Sequence, residues 1–514
     1  MIKSDKIIVL GGGSAGWMTA STLISQFPDK DITVIESPKT PTVGVGESTL
    51  GQINDWLNVL GIKDEDFMPH TDASYKLSIR FENFYKKGDG GFHYPFGGIY
   101  NTGLSHGKQN WFFTKKDNEH SYADFVNNNM PLVNQNTLFK NENNELPGFN
   151  FQYDTAYHFD ATKFGIWLRD NYCVPRGVKH IVEDIDDIKS DENGIVSLNN
   201  YKADLYFDCT GFSSLLMNKL NVKFNSYSEL LPNNKAWATR VPYNDKDKQL
   251  EPYTNCTAIE NGWVWNIPSW ERIGTGYVYS DKYVTDEEAL QEFKNHLDSK
   301  GLDYSNSEFK NIKMRVGIHE KVFEKNVCAI GLSAGFIEPL ESNGLLSVHQ
   351  FLIYLLKTMK RDNGNLCQYD IDAFNYSSIK FFNSFASFVS THYALSHRED
   401  TEYWKDISKK CYSDIAKNLT NDNYFERDFE VLMENNRFFN DNFGSNFVTT
   451  GFNFDAYNQY DIEIIKSKIS ENQFSTILNE NKYRNDLVRK WNNLAKTKDS
   501  LHDFLKKHIH NKEI

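Results

Sequence analysis

A glycine-rich turn close to the N terminus restricts the choice of fold more than any other segment. The residues Gly11-Gly12-Gly13-Ser14-Ala15-Gly16 follow the apolar run 6–10 and open a segment, 15–27, whose pattern predicts a helix. A second apolar run, 32–35, leads into Glu36. A strand, a GxGxxG turn, a helix, a second strand and an acid are, in this order, the parts of a dinucleotide-binding βαβ unit.

Each part of this unit has a physical task. Gly11 permits the tight turn, Gly13 lets the backbone approach a pyrophosphate, and Gly16 lets the helix pack closely on the strand. The first amides of the helix are free to bind phosphate oxygens. Glu36 can accept hydrogen bonds from a ribose. The motif does not distinguish FAD from NAD, and no second unit of this kind is evident in the sequence.

The bulk properties exclude several classes of partner. The 514 residues carry a formal net charge of −13, whereas nucleic-acid binders need basic faces. No run of eighteen apolar residues is present, so no membrane-spanning helix is expected, and no signal peptide is recognisable. The six cysteines are scattered, without a CxxC pair or a histidine cluster, so neither a disulfide framework nor a metal site is expected. These features predict a soluble, cytoplasmic protein.

The rest of the chain predicts an α/β protein with two interlocked parts. Strand patterns dominate residues 182–212 and 218–316, an apolar helix is predicted over 344–356, and the pattern is mostly helical from 371 onward. We therefore divide the chain into residues 1–370 and 371–514. The tail carries an amphipathic stripe of Leu487, Trp491, Leu494, Leu501 and Leu505. Such a stripe packs on the body of the protein or forms a subunit contact. The oligomeric state is therefore open, and the stripe permits a homo-oligomer.

Several downstream segments resemble those of flavin-dependent halogenases, a family best known from its tryptophan halogenases. The most specific segment, 262–268, contains Trp263, Trp265, Ile267 and Pro268 in that family's WxWxIP pattern, and these residues would form a rigid wall. Residues 44–49 are similar to the family's flavin-contacting loop. Residues 331–344 resemble the segment that passes the isoalloxazine ring and supplies the halide site. Residues 208–212 and 392–404 match further blocks in the family's order.

The resemblance implies an FAD-binding Rossmann-type fold of the flavin-monooxygenase kind, with a β-rich substrate layer and a mostly helical C-terminal part. It implies an enzyme that uses FAD as FADH2, from a separate flavin reductase, with O2 and a halide ion. Its product would be a halogenated small molecule, formed through hypohalous acid. The implied cofactor contacts are Gly11, Gly13, Ser14, Ala15, Gly16, Glu36, Val45, Gly46, Glu47, Ser48 and Gly331.

The resemblance also assigns the catalytic residues. Lys76 matches the lysine that relays hypohalous acid, by hydrogen bonding or as a haloamine. Without the resemblance, a lysine in such a segment is usually a solvated surface charge. Glu341 matches a carboxylate that assists this lysine or takes the ring proton, and its apolar neighbours would raise its pKa. A helix N-terminal acid, favoured by the helix dipole, is the alternative interpretation of Glu341.

The halide is expected on backbone amides near Asn343 and Gly344, at the start of a helix. Asn343 stands where threonine is usual in the family, so the halide preference is open. Bromide and iodide are easier to oxidise than chloride and are the halides to test first.

The substrate is defined only by class. Residues 92–97 resemble the segment that clamps an indole; Phe96 fits, whereas Tyr94 stands where a histidine is expected. Residues 451–454 lack the tryptophans of free-tryptophan halogenases. We therefore expect an indole, a phenol or another electron-rich aromatic. One alternative is a flavin-dependent monooxygenase of the same fold, against which the WxWxIP segment argues together with Lys76 and Glu341. The other is a non-catalytic flavin-binding redox sensor, against which the presence of both Lys76 and Glu341 argues.

Overall fold

The computed structural model describes residues 2–39, 47–98, 110–418, 445–454 and 459–510. In these ranges the strands are β1 Lys6–Leu10, β2 Asp31–Glu36, β3 Glu47–Ser48, β4 Ser74–Lys76, β5 Ser78–Glu82, β6 Gly91–Pro95, β7 Ala156–Phe159, β8 Lys179–Val182, β9 Ile188–Asp191, β10 Gly194–Leu198, β11 Leu205–Asp208, β12 Phe224–Ser226, β13 Lys235–Val241, β14 Tyr253–Ile259, β15 Gly262–Pro268, β16 Ile273–Tyr279, β17 Lys310–Lys313, β18 Gly317–His319, β19 Phe323–Glu324, β20 Val327–Ala329 and β21 Gly335–Phe336. The helices are α1 Ser14–Gln26, α2 Ile53–Leu60, α3 Asp64–Phe67, α4 Asn110–Thr114, α5 Tyr122–Val126, α6 Met130–Gln135, α7 Phe151–Asp154, α8 Ala161–Trp167, α9 Leu215–Lys219, α10 Lys246–Gln249, α11 Asp286–Ser299, α12 Gly344–Met359, α13 Gln368–Ala394, α14 Glu402–Asn418, α15 Ser445–Gly451, α16 Gln459–Lys468, α17 Glu471–Ala495 and α18 Leu501–Leu505.

The first sheet carries the glycine-rich turn. Its six strands lie in the order β19-β20-β11-β1-β2-β8, and all neighbouring pairs except β19–β20 are parallel. Four of the five residues of β1 are buried, as expected for a strand of a parallel sheet covered on both faces. Ligands of such sheets bind beyond the carboxyl ends of the strands. The turn after β1 lies at that edge.

The second sheet is the β-rich layer expected from residues 218–316. Its seven strands lie in the order β17-β13-β16-β15-β14-β5-β6. Two of them, β5 and β6, come from the earlier part of the chain, and β5 joins the layer parallel to β14. The WxWxIP segment is β15, in the middle of this sheet. Its central position explains why both tryptophans are buried.

A separate small sheet has three strands in the order β3-β7-β4. Its register pairs Ser48 with His158 across β3 and β7, and Lys76 with Ala156 across β4 and β7. These pairings bring together residues that are widely separated in the sequence. The sheet therefore positions one wall of the site described below.

Beyond β21 the described residues form helices and contain no strand. In the tail stripe, Trp491, Leu501 and Leu505 are buried and belong to the main hydrophobic core. The stripe therefore packs on the body of the protein. The division of the chain at residue 370 stays a prediction.

The α/β prediction is confirmed. Across the described ranges, no helix is long and apolar enough to cross a membrane. The same ranges hold no group of three or more histidine, cysteine or acidic side chains arranged to bind a metal ion. All six cysteines are free, and all but Cys367 are buried.

Candidate active site

The turn between β1 and α1 depends on two glycines. Gly11 has a φ of 119°, and a Cβ there would lie 2.3 Å from the carbonyl oxygen of Cys209. A Cβ on Gly16 would lie 1.8 Å from the carbonyl oxygen of Gly11. Any side chain at either position would collide with backbone, which only glycine avoids.

The first turn of α1 is able to bind an anion. Gly13 caps the helix without a side-chain hydrogen bond, and the first turn contains no acidic residue. The Ser14 hydroxyl donates to the carbonyl oxygen of Ala161 at 3.2 Å. The amides of this turn and the positive end of the helix dipole thus fit a pyrophosphate.

Glu36 lies beside this turn, at the end of β2. Its Oε1 is 2.7 Å from Nε2 of His180 in the neighbouring strand β8, and a Cβ on Gly12 would lie 1.6 Å from its Oε2. A carboxylate held against a glycine turn suits a ribose hydroxyl. These donors and acceptors fit the adenosine diphosphate half of FAD. Sequence reasoning missed His180, because β8 reaches β2 only through the fold.

Two further predicted cofactor contacts, Gly331 and Glu47, lie in different places. Gly331, with a φ of 73°, lies against α1, since a Cβ there would lie 2.8 Å from the Cβ of Ala15. Glu47 lies next to the start of α12, where a Cβ on Gly344 would lie 3.2 Å from its Oε2. Val45 and Gly46 lie outside the described residues.

Lys76 is fully buried at the end of β4. Its Nζ donates to the carbonyl oxygen of Thr49 at 3.0 Å and to Oγ of Ser342 at 2.7 Å. Burial lowers the pKa of Lys76 to about 7, although the charges of Cys256 and Glu341 act to raise it. Both protonation states are therefore populated near neutral pH: an ammonium that donates and an amine that is nucleophilic. The interpretation of Lys76 as a solvated surface charge is wrong.

Glu341 is fully buried in a short 3-10 turn, Pro339–Glu341, just before α12. Its Oε1 lies 2.6 Å from Nε2 of His392, but the contact is not aligned as a hydrogen bond, and neither carboxylate oxygen has a hydrogen-bond partner among the described residues. Burial raises the pKa of Glu341, opposed by His392 and Lys76. A carboxyl group with a raised pKa is suited to proton transfer near neutral pH.

Aromatic rings surround these two groups. The Phe96 ring centroid lies 4.9 Å from Nζ of Lys76, and Tyr94 meets Phe96 edge-on at 5.9 Å. Tyr94 also stacks on Phe447 at 6.3 Å. The pKa of the Tyr94 hydroxyl is raised by burial and by the charge of Glu341. Flat apolar faces around a few polar groups suit an aromatic ligand.

The first tryptophan of the WxWxIP segment anchors a second buried carboxylate. Nε1 of Trp263 donates to Oε2 of Glu338 at 2.8 Å, and this oxygen also accepts from Tyr393 Oη at 2.7 Å and Asn233 Nδ2 at 2.8 Å. Burial raises the pKa of Glu338, and these three donors counteract the rise. Trp265 packs on Trp263 at a centroid distance of 6.2 Å. The segment therefore does more than form a rigid wall. Its hydrogen bond to Glu338 fixes the polypeptide three residues before Glu341.

The end of the same segment reaches the three-stranded sheet. Ile267 is buried, and the carbonyl oxygen of Pro268 accepts a hydrogen bond from Oγ of Ser74 at 2.6 Å. The same carbonyl oxygen lies 3.1 Å from Nδ1 of His158. The motif thus connects the β-rich layer to the strand that carries Lys76.

The predicted halide segment forms the N terminus of α12. Asn343 caps the helix without a side-chain hydrogen bond to it. Its Nδ2 donates to the carbonyl oxygen of Ile337 at 3.4 Å, and its buried Oδ1 has no partner among the described residues. The neighbouring Glu47 has a pKa raised to about 7 by burial and by Asp160. The segment therefore combines helix amides with a carboxyl group that titrates near neutral pH.

The structure thus brings Lys76, Glu341, Tyr94 and Phe96 to one aromatic site, next to the segment of Asn343 and Gly344. Sequence reasoning assigned no role to Glu338 or His392, although Glu338 and Glu341 are two acids in an otherwise apolar segment, which is a usable signal. It also assigned none to His158, which carries no local signal.

Comparison with known proteins gives one consistent family. The family model described as "Tryptophan halogenase" matches residues 6–460. The 7-chloro-L-tryptophan 6-halogenase KtzR of Kutzneria sp. (strain 744) is 35% identical over 437 residues, covering 79% of this chain and 83% of KtzR. The tryptophan 7-halogenase RebH of Lentzea aerocolonigenes is 33% identical over 434 residues, covering 78% of each chain.

Solved structures agree over almost the whole length. The apo structure of VirX1 has a TM-score of 0.90 and 35% identity, covering 99% of this chain and 100% of VirX1. The tryptophan 6-halogenase SttH of Streptomyces toxytricini has a TM-score of 0.81 and 28% identity, covering 98% of this chain and 99% of SttH. The prediction of a Rossmann-type fold with a β-rich layer and a helical C-terminal part is confirmed.

Proposed function

The chain belongs to the tryptophan halogenase family of flavin-dependent enzymes, and we propose that it halogenates an electron-rich aromatic small molecule by means of hypohalous acid. The observation that carries the proposal is Lys76, a fully buried lysine whose pKa is lowered to about 7 and whose Nζ lies 4.9 Å from an aromatic ring centroid. Burial of an amine is costly and needs a function to explain it.

The cofactor is FAD, held by α1 and Glu36, and a separate flavin reductase supplies it as FADH2. When bound and reduced, and in the presence of O2, this group supplies the oxidising chemistry that turns a halide ion into hypohalous acid. The protein's own residues then direct that reagent. Burial keeps water away from Lys76 and the surrounding rings, which limits loss of the reagent to solvent.

Lys76 orients the reagent in either protonation state. As an ammonium it donates a hydrogen bond to hypohalous acid, which makes the halogen more electrophilic. As an amine it attacks the halogen, and water leaves as a haloamine forms. In both cases the halogen is delivered beside Phe96, where the substrate ring would lie.

Glu341 completes the reaction. Attack of an aromatic ring on the halogen leaves a cationic ring that must lose a proton. The Glu341 carboxylate stabilises that cation and accepts the proton, which leaves a neutral carboxylic acid beside His392.

For the halide, we propose that bromide and iodide are used in preference to chloride. Both are easier to oxidise than chloride. Asn343 supports this preference because its buried Oδ1 brings an unpaired acceptor to the start of α12. The negative end of the Asn343 amide dipole repels an anion. This repulsion is strongest for chloride, which is the smallest of the three halides and has the densest charge.

The test is mass-spectrometric product analysis. Purified protein, FAD, a flavin reductase, NADH and O2 are combined with chloride, bromide or iodide and a panel of indoles and phenols. Tryptophan belongs in the panel because the relatives KtzR and RebH are named for tryptophan substrates. A protein-free sample and a catalase-treated sample control for free peroxide chemistry.

The decisive variant is Lys76→Ala, with the exposed Lys86→Ala as its matched control. We expect halide-dependent mass shifts for the wild type and Lys86→Ala and none for Lys76→Ala, which should still bind FAD. Oxygenated products without halide dependence would move the assignment to a monooxygenase. Equal regiospecific product from Lys76→Ala would remove the role of this lysine.

A further inference from the structure

A continuous chain of buried hydrogen bonds links Lys76 to His158. Nζ of Lys76 donates to Oγ of Ser342 at 2.7 Å, and Oγ of Ser342 donates to Oγ of Ser48 at 3.1 Å. Oγ of Ser48 lies 2.6 Å from Oγ1 of Thr254, which lies 2.9 Å from Nε2 of His158. All five side chains are buried. They come from β4, the segment before α12, β3, β14 and β7, so the chain crosses the whole site.

The far end of this chain sets its direction. Nδ1 of His158 lies 3.1 Å from the carbonyl oxygen of Pro268, which can only accept, and 3.5 Å from Oγ of Ser74, whose hydrogen is used in the 2.6 Å bond to that same carbonyl oxygen. Nδ1 therefore carries a proton. Burial lowers the pKa of His158 well below its ordinary value. The ring is therefore neutral, and Nε2 has a lone pair. The hydroxyl of Thr254 must donate to that nitrogen.

Each remaining hydroxyl then has a single orientation. Because Thr254 donates to His158, it accepts from Ser48. Ser48 in turn accepts from Ser342, whose only hydrogen is thereby used. Toward Lys76, Oγ of Ser342 can therefore only accept a hydrogen bond. The carbonyl oxygen of Thr49 has no hydrogen and also only accepts.

This order of hydrogen bonds determines how the amine of Lys76 is bound. A neutral amine has two hydrogens and one lone pair. Both hydrogens are bound by acceptors, Ser342 Oγ at 2.7 Å and Thr49 O at 3.0 Å. None of the described residues donates to the lone pair, and the centroid of the Phe96 ring lies 4.9 Å from Nζ.

We propose that His158 is a positioning residue: through Thr254, Ser48 and Ser342 it keeps the lone pair of neutral Lys76 free to meet the oxidised halogen. In the charged lysine, the third N–H takes the position of this lone pair. The opposite tautomer of His158 would reverse every hydroxyl, and Ser342 would then donate to the lone pair and block it. The catalytic meaning rests on the proposed function of Lys76, whereas the hydrogen-bond order is independent of it.

The chain also influences the protonation of Lys76. In the part of the chain that the structure describes, Glu341 and Cys256 are the other titratable groups that act on this lysine, and both raise its pKa against the larger effect of burial. Neither group belongs to the chain, so both stay in place when it is broken. A broken chain frees Ser342 to donate to the amine, which stabilises the neutral form and lowers the pKa of Lys76.

The test replaces the central link. Thr254→Val keeps the shape of the side chain but can neither donate nor accept, and Thr254→Ser restores the hydroxyl. Thr257→Val is the matched control, because Thr257 lies on the same strand, is equally buried at 3% exposure, and directs its hydroxyl to Glu82 at 3.4 Å.

Two readouts separate positioning from mere structural support. We expect Thr254→Val to lower kcat for halogenation about tenfold or more and to lower the pKa of Lys76 by about one unit, a tenfold change in its protonation equilibrium. The pKa is measured by NMR of lysines labelled with ¹³C at Cε, with Lys76→Met identifying the signal. Thr254→Ser should restore both values, and Thr257→Val should change neither.

The proposal is overturned if Thr254→Val leaves the pKa of Lys76 unchanged, whether or not activity falls, or if Thr254→Ser fails to restore it. ¹⁵N NMR of the wild type gives a direct check, and a proton on Nε2 of His158 instead of Nδ1 would also overturn it. These NMR measurements need no turnover. A wild type that forms no halogenated product while showing the expected pKa shifts would contradict the proposed function and leave the hydrogen-bond order intact.

Discussion

The carboxylate of Glu341 lies 2.6 Å from Nε2 of His392, and both side chains are fully buried. Nδ1 of His392 lies 3.0 Å from the carbonyl oxygen of Phe388, so this nitrogen carries a hydrogen. Nε2 therefore faces the carboxylate, in a close contact that is not aligned as a hydrogen bond. From this position His392 lowers the pKa of Glu341, which burial raises, so it should affect the proton transfer assigned to that carboxyl group.

Replacing Glu341 by glutamine should lower kcat for halogenation by about a hundredfold or more, because an amide cannot accept the ring proton. FAD binding should be retained, since no described cofactor contact involves this side chain. Steady-state rates of product formation measure the loss, and FAD titration controls for folding. A rate equal to that of the wild type would make Glu341 a helix N-terminal residue only.

Replacing His392 by phenylalanine should move the acidic limb of the kcat profile to higher pH. His392 lowers the pKa of Glu341, so its removal raises that pKa, and the carboxylate form appears only at higher pH. A phenyl ring suits the position, where the imidazole lies 4.8 Å from Phe81 and 6.0 Å from Phe452. A pH–rate profile that keeps its wild-type limb would show that His392 does not lower the pKa of Glu341.

Replacing Lys76 by methionine should stabilise the protein most at low pH. The pKa of Lys76 falls from 10.5 to about 7 on burial. Between these values the unfolded chain binds more protons than the folded one, so the free energy of unfolding of the wild type rises with pH. Below about pH 7 Lys76 is charged in both the folded and the unfolded protein, so the folded wild type bears the full free-energy cost of burying that charge. Denaturant unfolding of both proteins from pH 6 to pH 10 measures the difference, which should shrink as pH rises; a constant difference would contradict the lowered pKa.

Replacing Trp263 by phenylalanine should destabilise the protein more than the same change at Trp265. Trp263 donates to the buried Glu338, whereas the buried Nε1 of Trp265 has no partner among the described residues. Loss of a donor to a buried carboxylate costs about 1–3 kcal/mol. Both variants lose similar volume, so their difference in unfolding free energy isolates the hydrogen bond. Equal destabilisation would show that Trp263 acts only by packing.

Replacing Glu47 by glutamine should remove a pH dependence of halide use. The pKa of Glu47 is about 7, and its carboxyl group lies beside the start of α12, where we place the halide. Above that pH its charge repels an anion, so KM for bromide in the wild type should rise with pH through about 7. The variant should show a flat profile, and the exposed Glu65→Gln should behave as the wild type. A rise that persists in Glu47→Gln would place the titrating group elsewhere.

Local sequence was sufficient for the nucleotide unit. Gly11 and Gly16 act through the backbone of one turn, and Glu36 follows at the end of the next strand. Such features need no distant partner, so their spacing alone predicts them. The α/β fold and the family followed from segments whose order along the chain is itself the signal, and both predictions are confirmed.

The contacts that tune the chemistry could not be predicted in this way. Lys76 and Ser342 are separated by 266 positions, and Trp263 and Glu338 by 75. Only packing brings them within hydrogen-bond distance. The assignment of Tyr94 and Phe96 to a substrate pocket and of Asn343 to the halide stays a prediction, although the structure brings all three residues to the same region.

By itself, the sequence predicted a dinucleotide site at a glycine turn, determined the α/β fold and gave the candidate residues of a flavin-dependent halogenase. Tertiary structure alone decided the state of those residues. Burial, and not residue type, lowers the pKa of Lys76 and raises that of Glu341, and the groups that contact them, Ser342 and His392, come from distant parts of the chain. The physical reason is that dielectric environment and hydrogen-bond direction depend on neighbours in space, which the order of residues does not specify.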